Sequence, residues 1–271
     1  MNKVQQYSSL TEVADFFSAI SKDYVSFYDN QSFLGQYFSQ RLAIVYRHLR
    51  QVLESQPNPK LLDLGCGPGM LFDYLHRQDH HNWEFWGTDI AEGMIRECTQ
   101  KFGHLDNAHF AVGQVQNPEF PDQSFDAVIC LGVLEYLEPE AAEVAIAQMN
   151  RVLKPNGVLI LSLTSNHSLY GWNKNLISKI KRLVSQLKGR AYQPNVGDGR
   201  RFEEHKVRRL LLDQSLDEVE TEYFGLNLLF PWVDNKFPKL STQLYGWCDR
   251  LFERRLRWPY SAMVIKAKKS E

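Results

Sequence analysis

The segment Leu61-Leu62-Asp63-Leu64-Gly65-Cys66-Gly67-Pro68-Gly69-Met70 constrains this chain more than any other stretch. Three leucines around one aspartate read as a buried strand, which runs directly into three alternating glycines and then a helical pattern from Met70 to Gln78. Glycine tolerates tight and positive-φ conformations and lets backbone approach a ligand closely. A strand, glycine turn and helix in this order belong to a parallel α/β sheet, whose ligands sit at the carboxyl edge of the strands. Two nucleotide-binding versions of this unit fail here. A dinucleotide fingerprint needs glycine at position 70 or 72, where Met70 and Phe72 stand, and no Gly-Lys-Ser/Thr ends the turn as in a P-loop.

The alternation continues downstream. Short apolar runs at Glu84 to Gly87, Ala108 to Val112, Phe125 to Cys130 and Val158 to Leu163 read as strands. Helical patterns at Ala91 to Phe102 and Pro139 to Val152 separate them, the second closed by a Lys154-Pro155-Asn156-Gly157 turn. Upstream, Val13, Phe16, Phe17 and Ile20, then Leu42, Val45, Tyr46, Leu49 and Leu53, predict two or more helices, broken from the first strand by Gln56-Pro57-Asn58-Pro59. Leu210 to Val219 reads as helix and Ser261 to Ala267 as a last strand. The second strand ends in Trp86-Gly87-Thr88-Asp89-Ile90, so Asp89 falls at the carboxyl edge beside the glycine turn, where a carboxylate can accept two ribose hydroxyls.

Four ordered motifs carry a family resemblance: Asp63 to Gly69, Thr88-Asp89-Ile90, Phe120-Pro121-Asp122-Gln123-Ser124-Phe125-Asp126, and Arg151-Val152-Leu153-Lys154-Pro155-Asn156-Gly157. Over about residues 58 to 165 the chain resembles the class I S-adenosylmethionine-dependent methyltransferases, in particular the small-molecule branch with quinone and sterol methyltransferases. The resemblance implies an α/β, Rossmann-like, mostly parallel seven-stranded sheet with N-terminal helices and a helical insertion after the fifth strand. It implies a donor site in which Gly65, Cys66, Gly67 and Gly69 shape the loop and Asp63 lies near the donor's amino group. Asp89 would hold the ribose diol, and Ile90 and Met94 would contact adenine. Gln114 stands where the family usually has an acid for the adenine amino group; its amide oxygen can accept the same bond. Val115, Leu131 and Tyr28 complete the implied donor-contacting set, Tyr28 because N-terminal segments of the family close over the pocket.

For catalysis the family often offers a histidine where this chain has Tyr136, a poor base near neutral pH but able to orient an acceptor. His167 and His205 remain as general-base candidates. Methyl transfer needs an in-line nucleophile and little water, and its thioether leaving group needs no proton, so proximity carries much of the work. The expected activity is methyl transfer to a small-molecule acceptor, at oxygen ahead of nitrogen or carbon. A lipid or macromolecular acceptor, and a donor-binding protein without turnover, stay open.

Lys and Arg total 31 against 32 Asp and Glu, for a net charge of -1, which gives no general reason to bind nucleic acid or anionic lipid. Charge is uneven, however: Asn166 to Leu210 holds 11 Lys or Arg and 3 Asp or Glu. That basic insertion reads as a cap, as electrostatics for an anionic acceptor, or as a peripheral membrane contact. Aromatics around Phe230, Trp232, Tyr245, Trp247, Trp258 and Tyr260 suit either an aromatic or lipid-like acceptor wall or closure of the C-terminal core. The expected division is 1-55 N-terminal helices or lid, 56-165 donor-binding core, 166-209 basic insertion, and 210-271 completion of the sheet. The opening residues lack a signal-peptide core, so a cytoplasmic location is expected. Cys66, Cys98, Cys130 and Cys248 have no metal-binding spacing, and His76 with His80 reads as a polar helix end, so no metal is expected. Oligomeric state is left open.

Overall fold

The computed structural model describes residues 9–28, 33–78, 82–166, 199–226, 236–252 and 260–271. Helix α1 (Leu10–Tyr24) starts on Ser9, whose hydroxyl accepts the Glu12 N–H at 3.2 Å, and passes into a 3₁₀ turn, Val25–Tyr28. Helix α2 (Phe33–Ser55) ends ahead of Pro57 and Pro59, as the breaker requires. Then follow β1 (Lys60–Leu64), α3 (Met70–His76), β2 (Glu84–Asp89), α4 (Glu92–Phe102), β3 (Ala108–Val112) and β4 (Phe125–Leu131). A 3₁₀ turn, Leu134–Tyr136, leads to α5 (Pro139–Val152) and β5 (Leu153–Thr164); α6 (Glu204–Asp213), β6 (Leu216–Leu226), α7 (Pro238–Phe252) and β7 (Tyr260–Lys269) complete the described chain.

The strands form one seven-stranded sheet in the order β3-β2-β1-β4-β5-β7-β6. The pairs from β3 through β5 are parallel, and β7 runs antiparallel to both neighbours. The expected mostly parallel α/β sheet is therefore present. Alternation along the strands feeds two cores: Leu62, Leu64, Val128, Leu159 and Leu161 pack with α5 and α6. Leu61, Phe85, Ala127, Ile129 and Ile160 pack on the other face with Leu42, Val45 and Leu49 of α2 and Leu71, Phe72 and Leu75 of α3. The strand order turns round between β1 and β4, which opens a crevice at their carboxyl ends.

Helix α1 lies against α4 because Gly93 leaves room for it. A Cβ at position 93 would sit 2.6 Å from the Ser18 carbonyl oxygen, and the Gly93 N–H donates to Ser18 Oγ at 3.2 Å. This contact lays α1 over the crevice.

Two local expectations differ from the structure. The Lys154 to Gly157 turn lies inside β5: Leu153 pairs with Phe125 and Val158 with Ala127, so four residues oppose one and form a bulge, with Asn156 at φ +63°. The helical reading of Leu210 to Val219 is also corrected. Helix α6 stops at Asp213, Ser215 takes φ +58°, and Leu216 already belongs to β6. A register shift between Asp217 and Glu220, with Glu218 at φ +48°, turns both Leu216 and Val219 inward and so imitates a helical spacing.

Candidate active site

The site grows from the end of β1. The Gly65 and Cys66 N–H groups both donate to the Thr88 carbonyl, at 2.7 and 3.0 Å, which ties the glycine loop to the end of β2. Gly65 (φ +79°) and Gly67 (φ +54°) are in the left-handed region. A Cβ on Gly65 would lie 2.2 Å from Val133 Cγ2, whereas one on Gly67 would meet nothing nearer than the Tyr24 ring at 4.0 Å. Gly65 thus permits close packing of the loop, and Gly67 faces open space. The Gly67 N–H donates to Asp89 Oδ2 at 2.9 Å, and Ala91 N–H to Asp89 Oδ1 at 2.8 Å. The glycine turn and the carboxylate therefore converge directly. Burial raises the Asp89 pKa above the usual carboxylate range, and these two backbone bonds oppose the rise.

Around this junction is a cleft of ≈ 730 Å³, its open mouth included. Gly65, Gly67 and Asp89 line one side, with Ile90 and Met94 beyond them. Gly113, Gln114, Val115 and Gln116 line the next wall, and Leu131, Gly132, Val133, Tyr136 and Leu137 face them from the end of β4. Leu10, Val13, Phe17 and Tyr24 of α1 form the roof. The Phe17 ring meets Tyr136 edge-on at 5.3 Å and Tyr24 at 6.2 Å, so the roof is joined to the β4 loop by aromatic contact. Burial pushes the Tyr24 phenol up, which keeps its hydroxyl protonated.

Beneath the cleft lies a group of buried ionisable side chains. The Arg41 guanidinium donates to the Tyr28 hydroxyl at 2.8 Å and stands 4.7 Å over the Phe38 ring. Its Nη1 is 3.2 Å from where a Cβ on Gly132 would be, so it approaches the cleft wall where the chain carries no side chain. Arg41 Nε, Asp63 Oδ1 and Glu135 Oε2 are buried without a hydrogen-bond partner among the described residues. Glu135 Oε1 accepts from the Thr164 N–H at 2.8 Å and its hydroxyl at 3.2 Å. Burial lifts Glu135 above the usual range. Burial also lifts Asp63, to about 7, with the Arg41 charge opposing and the Asp89 charge adding to the rise.

These observations sort the residues singled out in the sequence. Gly65, Gly67, Asp89, Ile90, Met94, Gln114, Val115, Leu131 and Tyr136 line one cleft. Asp63 lies under it, while Cys66 backs the loop, its thiol and that of Cys98 both directed at the Gly67 carbonyl. Gly69 opens α3 and is packed by Phe102 and Cys98. The structure corrects two assignments. Tyr28 does not line the cleft; it stacks on Phe38 at 4.6 Å and is held by Arg41, and Tyr24, four residues earlier, takes the lining position. His205 is no part of the cleft either: α6 buries Val207 and Leu211, leaving the His205 side chain 70% exposed beside Glu203 at 3.5 Å. His167, His80, Phe230, Trp232 and Trp258 lie outside the described residues. Tyr245 and Tyr260 are core residues, and His76 stacks on Phe72 at 5.6 Å.

The methyltransferase-domain family matches residues 61–157, the stretch that contains the glycine loop, Asp89 and the β4 wall. Residues 61–157 are thus similar to a methyltransferase domain. Among curated relatives, the carboxy-S-adenosyl-L-methionine synthase of Helicobacter pylori is 29% identical over 152 residues, covering 55% of this chain and 59% of that one. The demethylmenaquinone methyltransferase of Staphylococcus haemolyticus is 32% identical over 127 residues, 45% of this chain and 51% of that one. This chain thus spans little more than half the length of the relatives it matches. The magnesium protoporphyrin IX methyltransferase of Synechocystis, solved with S-adenosylhomocysteine bound, superposes with a TM-score of 0.65 at 19% identity, covering 97% of this chain and all of that one. That likeness carries the fold.

The donor of this methyltransferase family, S-adenosylmethionine, brings a ribose diol, an adenine and a zwitterionic amino-acid end, and the residues present fit each. Each Asp89 oxygen accepts one backbone N–H and keeps capacity for a hydroxyl. Ile90, Met94, Gln114 and Val115 offer adenine apolar faces and one amide. The unpaired buried atoms of Asp63 and Arg41 offer a carboxylate and a guanidinium to an ammonium and a carboxylate. A pH dependence follows. Asp63 attracts an ammonium only when ionised, so donor affinity should fall as pH drops through about 7 and weaken again at higher pH as an α-amino group of pKa about 8 deprotonates. Calorimetry across pH checks this; Asp63→Asn should lose the acid limb, and an unaltered limb in that variant would refute the assignment.

Proposed function

We propose that the protein transfers the methyl group of S-adenosylmethionine to a lipophilic small-molecule acceptor, with a hydroxyl oxygen as the favoured receiving atom. The observation that carries this reading is the convergence of the Gly67 N–H on the Asp89 carboxylate at 2.9 Å, at the mouth of an aromatic-roofed cleft. When bound, the donor supplies a methyl group activated by its sulfonium.

The chain's own residues then hold and shield. Asp89 takes the ribose hydroxyls, Asp63 the amino group and Arg41 the carboxylate, which fixes the methionine end beside Gly132. Leu10, Val13, Phe17 and Leu137 present apolar surface to the remaining space, excluding water from the line of attack and favouring an apolar acceptor. Tyr136 and Tyr24 are the hydroxyls in this wall, and each can hold an acceptor oxygen by hydrogen bond. Support for a quinone-like acceptor comes from the name of the demethylmenaquinone methyltransferase relative together with the apolar roof.

A screen of phenols, quinols and carboxylic acids with isotope-labelled methyl donor tests the reading. The expected product is an oxygen-methylated lipophilic compound formed with one equivalent each of S-adenosylhomocysteine and of the hydroxyl proton, released to solvent; no methylated product from any acceptor class would overturn it. With an acceptor in hand, Tyr136→Phe should lower turnover about tenfold at saturating donor while donor affinity stays unchanged. The substitution keeps the ring that packs on Phe17, so parental turnover would remove the orienting role. No helix among the described residues is long and apolar enough to cross a membrane.

A further inference from the structure

Helix α7 turns an exposed face outward among the described residues. Its inner side buries Ser241 and Tyr245 and half-buries Leu244 against the core. Its outer side presents Leu240 and Trp247, 61% and 57% exposed and two helical turns apart, with Phe237, 48% exposed, one turn ahead. Eight large apolar side chains are exposed among the described residues; these three are adjacent in one stripe and include both aromatics of the set. Exposed Lys236 and Lys239 flank the stripe, Lys236 with its ammonium 5.7 Å over the Phe237 ring. No acidic residue occurs from 235 to 248. The stripe is apolar and its described flank is cationic.

Topology and charge agree on what such a face would meet. Leu226 pairs with Tyr260, and Ala262 with Thr164, so the excursion 227–259 that contains α7 leaves the sheet at the carboxyl end of β5. The stretch 167–198 leaves at the same end, where Ser165 bridges Phe202. These two stretches hold 12 Lys or Arg against 4 Asp or Glu, while the rest of the chain holds 19 against 28. The chain is nearly neutral overall, and its positive charge is concentrated along the sequence in these two stretches.

We infer that the outer face of α7 docks the protein on an anionic lipid surface. Phe237, Leu240 and Trp247 enter the boundary between headgroups and acyl chains, Trp247 suiting that boundary because its ring is apolar and its indole N–H polar, and Lys236 and Lys239 stay at the phosphate level. This docking does not depend on methyl transfer, since none of these residues lines the cleft.

Flotation of the full chain with vesicles tests it without donor or acceptor. The protein should bind phosphatidylcholine vesicles containing phosphatidylglycerol, bind pure phosphatidylcholine weakly, and release as salt rises. Leu240→Ser with Trp247→Ser, and separately Lys236→Glu with Lys239→Glu, should each weaken binding about tenfold or more while S-adenosylhomocysteine affinity and thermal midpoint stay parental. Brominated lipid should quench tryptophan fluorescence in the parent and less in Trp247→Phe. Equal binding to neutral and anionic vesicles, variants that bind like the parent, or variants that instead change the oligomeric state would overturn the inference, the last by marking a protein interface.

Discussion

Asp89→Ala is expected to weaken donor binding by about 100-fold or more in a protein that still folds. The carboxylate is the acceptor placed for two ribose hydroxyls, and hydrogen bonds to a charged group contribute about 1.5–3 kcal/mol each, so removing both costs about 3–6 kcal/mol of affinity. The fold loses less. Asp89 also accepts the Gly67 and Ala91 N–H groups; Gly67 lines the cleft, where water can replace the lost acceptor, and the buried Ala91 amide bears the remaining cost. A thermal midpoint lowered by only a few degrees should accompany the binding loss. Asp89→Glu keeps the charge but moves it by one methylene, and should fall between parent and alanine. Parental affinity in a folded Asp89→Ala protein would mean that the ribose sits elsewhere.

Gly65→Ala should be the most damaging small substitution in the loop, because it meets two obstacles. The residue holds φ +79°, where a side chain costs about 1–2 kcal/mol, and its new Cβ would stand 2.2 Å from Val133 Cγ2. Val133 is in the facing cleft wall, so relief of the clash displaces either the loop or that wall, and donor affinity should fall about 100-fold with a clear loss of stability. Val133→Ala in the same chain removes the clash but not the backbone strain. The double variant should therefore recover part of the loss, and the shortfall measures the strain. Full recovery would show that space alone selects glycine here; parental binding in Gly65→Ala would show that the loop is not seated as described.

Much of this site is legible in the linear sequence, and the reason is local. The strand, glycine turn and helix are contiguous, Asp89 ends the next strand, and a parallel sheet brings those two ends together without further information. What escapes is set by long-range burial. Arg41 sits on an apolar helix one turn before Val45 and two before Leu49, and a charge in such a stripe is the signal that could have marked it. Its meaning depends on Gly132, more than ninety residues away. Tyr24 and Tyr28 are indistinguishable by helical spacing, and the switch to a 3₁₀ turn at Val25 together with the Arg41 bond decides which one faces the cleft. Glu135 reads as a loop acid until Thr164 is seen to occupy one of its oxygens. Strand β6 is hidden because its bulge replaces the two-residue alternation with a three-residue step.

The most direct measurement is a crystal structure of the chain with S-adenosylhomocysteine. The ribose diol should lie within hydrogen-bond reach of both Asp89 oxygens, the adenine between Ile90, Met94 and Gln114, and the amino-acid end over Gly132 toward Asp63 and Arg41. A nucleoside bound outside this cleft, or bound in it with the adenine toward Arg41, would contradict the donor site at the root of the proposed chemistry.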